Sequence, residues 1–210
     1  MGGGWLIHQG QTSAAAPAVP FLLRAAADPS TPHRAALLLL VAEAGRREHF
    51  GDGTRAGLLR VADLEERYDH AGHSMNRSVR AVRDAITADA PILVALLDDA
   101  DPRVRCAACY ALAATSADHA PLVAALRARF DVESVEGPNS VDPDVVSEAD
   151  DEVAAVRASL VLAIAQLGLA HRDERVVGWS RAWWSDPGQP PEVRVSAALA
   201  WLCLVPGCAW

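Results

Sequence analysis

The sequence predicts an all-α protein built of antiparallel helix hairpins, and three observations carry that prediction. Of the 210 residues, 51% are hydrophobic but only 5% aromatic, so the apolar mass lies in Ala, Leu and Val, which suit close-packed helices better than a sheet sandwich. Alanine makes up a fifth of the chain, and small side chains let helix axes approach closely. The stretch from Asp98 to Thr115, DDADPRVRCAACYALAAT, holds a helix end, a tight turn and a new helix. In it Asp101 offers an N-cap oxygen, Pro102 sits where its missing N–H costs nothing, and Val104, Ala108, Ala111 and Leu112 share one face.

The same pattern recurs along the chain. Residues 1–16 hold three early glycines and no period, and predict an irregular N-terminal arm in which Trp5, Leu6 and Ile7 pack down and His8-Gln9-Gly10 caps the first hairpin or lines the groove. A first helix over about 17–27 carries Val19, Leu22, Leu23 and Ala26. Thr31 then caps and Pro32 opens a second, with Leu37, Leu40 and Val41 buried and Gly45 as a left-handed stop. After a glycine-containing loop, helices are expected over 54–68 on Leu58, Val61 and Leu64, and over 74–88 on Val79, Val82 and Ile86. Ala90-Pro91 opens a short helix through Leu97, Asp101 starts the next, and Asp118 starts one that ends near Phe130. Residues 131–150, with Gly, two prolines and many acids, predict an inserted loop. A helix over 151–167, ended by Gly168, is followed by a pair over about 173–184 and 191–204. Ten helices make five hairpins in one repeat domain, 17–210.

Charge and composition exclude several classes. All 19 basic residues are arginine, which removes lysine Schiff bases, phosphate-loop lysines and lysine general bases. The net charge of −8 is concentrated: residues 131–152 hold nine acids and no base, leaving 18 acids against 19 arginines elsewhere. With no basic face, the electrostatic attraction that drives binding to nucleic acid or anionic lipid is missing, so neither partner is expected. No secretion signal or run of about 20 apolar residues is evident, and Cys106, Cys109, Cys203 and Cys208 fit reduced thiols. A cytoplasmic location is expected.

Aligning the second helices of the hairpins places Val104-Arg105 with Val156-Arg157, Val193-Arg194, Val79-Arg80 and His33-Arg34, a period that marks a solenoid. The segment D-x-x-V-R-x-x-A-x-x-A-L, as it stands in Asp101 to Leu112, resembles HEAT and HEAT-like repeats of the phycobilisome lyase type. The resemblance covers about 17–205 and departs around Arg80, where Arg83 takes the place of a core alanine. It implies a right-handed α-solenoid of about five antiparallel hairpins with a concave face lined by second helices. Most proteins with such repeats are scaffolds and binding modules; a minority are enzymes, including bilin lyases and a group of alkylpurine DNA glycosylases.

The candidate binding residues are the arginine ladder Arg34, Arg80, Arg105, Arg157 and Arg194, either bridging neighbouring repeats or forming a ligand-facing stripe, and Trp179, Trp183 and Trp184, which have the character of interface anchors. Trp179 and Trp183 share a face, with Trp184 turned about 100° away. Cys106-x-x-Cys109 lies in the second turn of a helix, where a thiolate gains little, and reads as packing. His70 and His73 near Asp69, Glu65 and Glu66 lack a third spaced ligand, and Asp142, Asp144 and Asp150 lack EF-hand spacing. No metal, cofactor or catalytic residue is assigned. The function expected is a non-catalytic module binding a protein or peptide on the concave face, as scaffold, adaptor or immunity protein, with a possible homodimer through the tryptophan-rich C-terminal end. The alternative is a helical-repeat enzyme acting on a small molecule or peptide in the same groove, glycosylase chemistry being disfavoured by the acidic charge.

Overall fold

The computed structural model describes residues 14–46, 55–59, 75–116, 119–136, 148–171 and 173–205. Every regular element among them is helical: α1 (Ala15–Ala27), α2 (Arg34–Ala44), a 3-10 turn (Ala56–Leu59), α3 (Met75–Ala88), α4 (Ala90–Ala95) extended by a 3-10 turn (Leu96–Asp98), α5 (Pro102–Leu112), α6 (His119–Glu136), α7 (Glu148–His171), α8 (Glu174–Ser185) and α9 (Pro191–Leu204). The expectations for the N-terminal arm with Trp5 and His8, for Val61, Leu64, His70 and His73, for Asp118 as a helix start, and for Asp142 and Asp144 fall outside the described residues.

Four consecutive pairs pack as neighbours: α1 with α2, α4 with α5, α6 with α7, and α8 with α9. The second members also touch in sequence, α2 against α5, α5 against α7 and α7 against α9. Between these rows lies a core that includes Leu23, Leu38, Leu93, Leu126, Leu160, Ile164, Leu167 and, as their shared face predicts, Val104, Ala108, Ala111 and Leu112. The turn before α5 folds as its sequence dictates, with Asp101 Oδ1 accepting from the Arg103 N–H at 2.8 Å and Pro102 in the first helical turn.

Helix α3 stands apart from the row. Its Val79, Val82 and Ile86 are buried, yet it packs mainly on α1, while α2 lies directly against α5. The alignment of Val79-Arg80 with the second helices is thereby corrected. Arg83, the residue that departed from the repeat pattern, donates from Nε to the Ala114 carbonyl at 3.0 Å and from Nη2 to that of Thr115 at 3.1 Å. It ties α3 to the two carbonyls of the turn that follows α5, a task for which an alanine would be useless.

Other boundaries moved for identifiable reasons. Helix α2 begins after His33, whose φ of 59° puts it in the left-handed region, and not at Pro32. Its buried positions are Leu38, Val41 and Ala42, while Leu40 is exposed. Gly45 has φ −85°, so it is no left-handed stop; a Cβ there would sit 2.9 Å from Ile86 Cδ1, so the space beside α3 is tight at this position. Likewise Gly168 does not end α7, which continues to His171; a Cβ would meet Val176 of α8 at 2.9 Å. Residues 131–136 are helical and not loop, since i,i+4 pairs from Arg127 to Asp131 and Arg129 to Glu133 carry α6 past Phe130. At the far side α7 already starts at Glu148. Uninterrupted by Gly168, its Asp150–His171 part is long and apolar enough to cross a membrane by length and composition, and 56% of its apolar window is buried inside the protein. Leu58, expected in a helical stripe, is exposed on the 3-10 turn, while Leu59 beside it is buried where that turn meets α7 and α9.

Candidate functional site

The arginine ladder is built at the joints between helix pairs. Near the start of α2, Arg34 donates from Nε to the Ala26 carbonyl at 2.7 Å, at the end of its own first helix. Its other nitrogens hold Asp99, in the turn of the next pair, at 3.2 and 2.5 Å. Near the start of α5, Arg105 reaches back to the Asp99 carbonyl at 2.8 Å and forward to Glu133 Oε1 of α6 at 2.9 Å. Arg157, on α7, donates from Nη2 to Gln189 Oε1, before α9, at 2.5 Å. Among the described residues Arg194, on the α8–α9 pair, makes only the backward link, a long 3.4 Å bond to the Trp184 carbonyl. A fork of donors on each second helix thus meets the end of its own first helix or the turn after it (Arg34, Arg105, Arg194), and reaches the turn of the next pair (Arg34, Arg157) or its first helix (Arg105). Arg80 sits on the exposed side of α3, away from this row.

Electrostatics follow from burial. Glu133, only 1% exposed, is clasped by Arg105 and by Arg129, whose Nη2 lies 2.7 Å away; Arg129 also holds Asp98 at 3.0 Å. Burial pushes the Asp99 carboxyl upward, but hydrogen bonds from Arg34 and the Asp101 N–H, with the charges of Arg34 and Arg105, hold it below the usual carboxylate range. Burial lowers Arg157, against the charges of Glu133, Asp131 and Asp186, and its Nε is buried without a hydrogen-bond partner.

The last joint is aromatic. Phe130 of α6 meets Trp183 of α8 at 4.5 Å between centroids, and Trp183 meets Trp179 at 6.5 Å. Arg127 lies 4.9 Å from the Trp183 centroid and Arg157 lies 4.7 Å from that of Phe130. Trp184 faces the other way, against Trp201 of α9 at 5.8 Å. Trp183 is buried, while Trp179 and Trp184 are half-buried.

A third cluster escaped the sequence reading. Tyr110 of α5 donates its hydroxyl to Glu43 of α2 at 2.6 Å, and Arg46 stacks 3.5 Å from the centre of its ring while bonding Tyr110 O and Gln166 Oε1 of α7 at 2.9 and 3.1 Å. Burial, then the bond to Glu43, pushes the phenol up to about 12, so Tyr110 is a neutral donor at ordinary pH. Burial lowers Arg46. Nothing in the spacing of residues 43, 46, 110 and 166 announces this meeting; only the packing of α2, α5 and α7 creates it. On the same side of α2 as Glu43 stand Ala36, Leu39 and Leu40, the two leucines 45% and 42% exposed. Cys106 lies one turn before Tyr110 on α5. Burial raises its thiol and, further, that of Cys109, so neither is primed as a nucleophile.

Two more features bear on chemistry. His119 and His171 stack ring on ring, 4.1 Å apart and 7° from parallel, and His119 Nε2 lies 3.4 Å from Asp173 Oδ2. Stacked imidazoles do not converge their nitrogens on one ion, and among the described residues no group of three His, Cys, Asp or Glu side chains is placed to hold a metal. A cleft of about 450 Å³ opens between the starts of α2 and α5, lined by Pro29, Thr31, His33, Arg34, Asp101 and Arg103.

Paired helices whose second members touch in a row, each joint held by an arginine, define an all-helical protein of the helical-repeat class. Residues 90–118 match the family model for the HEAT repeat. That segment is α4, its 3-10 extension and α5, the pair whose sequence states the pattern most fully. The match supports a HEAT-type helical repeat and points to a protein-interaction module. Comparison with curated proteins and with solved structures gave no match.

Proposed function

We propose that this chain is a non-catalytic interaction module, a single right-handed HEAT-like solenoid over 17–210, whose face lined by second helices binds a protein or peptide. The D-x-x-V-R pattern supports the likeness to phycobilisome-lyase-type repeats at the level of fold. The observation that carries the reading is the exposed pair Leu39 and Leu40 beside the rigid Glu43–Tyr110–Arg46 cluster. Apolar side chains, a tyrosine and an arginine set together on a rigid scaffold have the composition of an interface core. Arg34, Arg105 and Arg157 serve as staples in this reading, and their engagement with Asp99, Glu133 and Gln189 removes these three from any phosphate-binding face, which favours a protein partner over nucleic acid or membrane. Free thiols at Cys106, Cys109 and Cys203 support a reducing compartment such as the cytoplasm, and the role proposed there is that of a scaffold, adaptor or immunity protein.

A photo-crosslinking amino acid at Leu40 or Cys106, compared with one at exposed Arg181 on α8, tests the reading in extract of the native host. One defined protein adduct from the first two positions and none from the third is expected. Equal adducts from all three, or none from any, would refute the placement of the binding face.

A further inference from the structure

Helix α9 is the last second helix among the described residues, and the face it turns outward carries an apolar spacing of its own. Helix α9 buries Val193, Ala197, Ala200 and Cys203 against its neighbours α7, α8 and the Ala56–Leu59 turn. Opposite them stand Pro191, Val195, Ala198 and Leu202, separated by four, three and four residues. That is the alternation of a coiled-coil seam over its whole length, with no charge within it. Val195 and Leu202 are 69% and 41% exposed, far more than an apolar stripe needs to be for the fold's own sake. Arg194 borders the seam on one side together with Trp201, and Glu192 and Leu199 border it on the other.

We infer that this seam is an interface with a second copy of this chain, the two α9 helices packing antiparallel about a two-fold axis that passes between Val195 and Ala198. The antiparallel register matches large residues with small ones in every layer: Val195 with the partner's Ala198, and Leu202 with the partner's Pro191. A parallel register would instead set Ala198 on Ala198 and leave a gap, which close packing disfavours. The same antiparallel register brings Arg194, held among the described residues only by its 3.4 Å bond to the Trp184 carbonyl, beside the partner's Trp201, so a cation meets an aromatic face twice per dimer. The contact is isologous and therefore closes at two copies. A 14-residue helix presents a face roughly 21 Å by 10 Å, short of the roughly 800 Å² per partner of a standard interface, so the dimer is weak and concentration-dependent.

Sedimentation equilibrium of the full chain from about 5 to about 500 µM tests it, alongside Val195→Glu, Leu202→Glu, and Val132→Glu as an exposed apolar control on α6. The expected result is a mass that climbs from one copy to two in the wild type and in Val132→Glu, and stays at one copy in the other two with helicity unchanged. Should Val195→Glu lose helicity, Val195→Ser replaces it and is expected to raise the dissociation constant at least tenfold. A wild type that stays monomeric throughout, one that grows beyond two copies, or a dimer that neither seam variant weakens would overturn the inference. None of these outcomes bears on the crosslinking face at Leu40, which lies on α2.

Discussion

The joint around Arg105 and the joint around Arg157 begin from the same two residues, Val-Arg on the second helix of a pair, and are finished with different chemistry. At the first, Asp99, Glu133 and Asp98 surround three arginines with carboxylates. At the second, a neutral amide from Gln189 and the rings of Phe130 and Trp183 take their place. A repeat signature therefore specifies where a donor is presented, while the neighbouring pair decides what receives it. The practical consequence is that the two joints should respond to different perturbations: removal of charge at one, removal of apolar volume at the other.

The largest contrast is expected from Glu133→Ala against Gln189→Ala. The first strands Arg105 and Arg129 around an empty site and should cost about 3–5 kcal/mol in urea unfolding, whereas the second removes two hydrogen bonds, from Arg157 and to exposed Asp186, and should cost about 1–2 kcal/mol. Equal losses would erase the distinction. Next come two glycines at tight contacts, one in each half. Gly168→Ala forces a Cβ to 2.9–3.0 Å from the Cβ and both methyls of Val176 and should cost about 1–3 kcal/mol, whereas Gly45→Ala meets only the terminal Cδ1 of Ile86, which can turn aside, and should cost less than about 1 kcal/mol.

Acid should separate the joints without any volume change. The Asp99 carboxyl is held below its ordinary 3.8. The stability it contributes is complete above that unfolded value and is lost as the pH falls through the lower folded one. The penalty of Asp99→Asn, measured by unfolding from pH 7 downward, should shrink in that acid window, while that of Phe130→Leu, which removes only ring volume beside Arg157, stays constant. A penalty for Asp99→Asn that is flat with pH would mean its charge contributes nothing. The smallest effect has the opposite sign: Gly178, exposed in α8 with open space around its Cα, should gain up to about 1 kcal/mol on change to Ala from helix propensity alone.

Much of this architecture was legible in the residues. Cap and period at Asp101-Pro102, and apolar spacing at Leu160, Ile164 and Leu167, are local signals, and local signals suffice for a helix and its buried face. What the sequence concealed was relational. Gly45 and Gly168 looked like stops because glycine is common there, yet Gly168 is set by a side chain on another helix, Val176, and Gly45 sits tight beside Ile86. Residues 131–136 looked like loop because acids dominate, but Glu133 is acidic for the sake of Arg105, 28 positions earlier in the chain. The candidate arginines were legible as a ladder although their acceptors were not, and the Glu43–Tyr110–Arg46–Gln166 cluster was invisible because its members are brought together only by three packed helices.

The central claim is that the arginines hold one helix pair to the next, and Arg34 with Asp99 is the cleanest joint on which to measure it. Their side chains are 12% and 13% exposed and joined by two bonds. A double-mutant cycle of Arg34→Met and Asp99→Asn in urea unfolding at pH 7 should return a coupling of about 1.5–3 kcal/mol, the range for hydrogen bonds to charged groups. A coupling under about 0.5 kcal/mol, with both single variants as stable as the wild type, would contradict it and return the ladder to the role of a ligand-facing stripe.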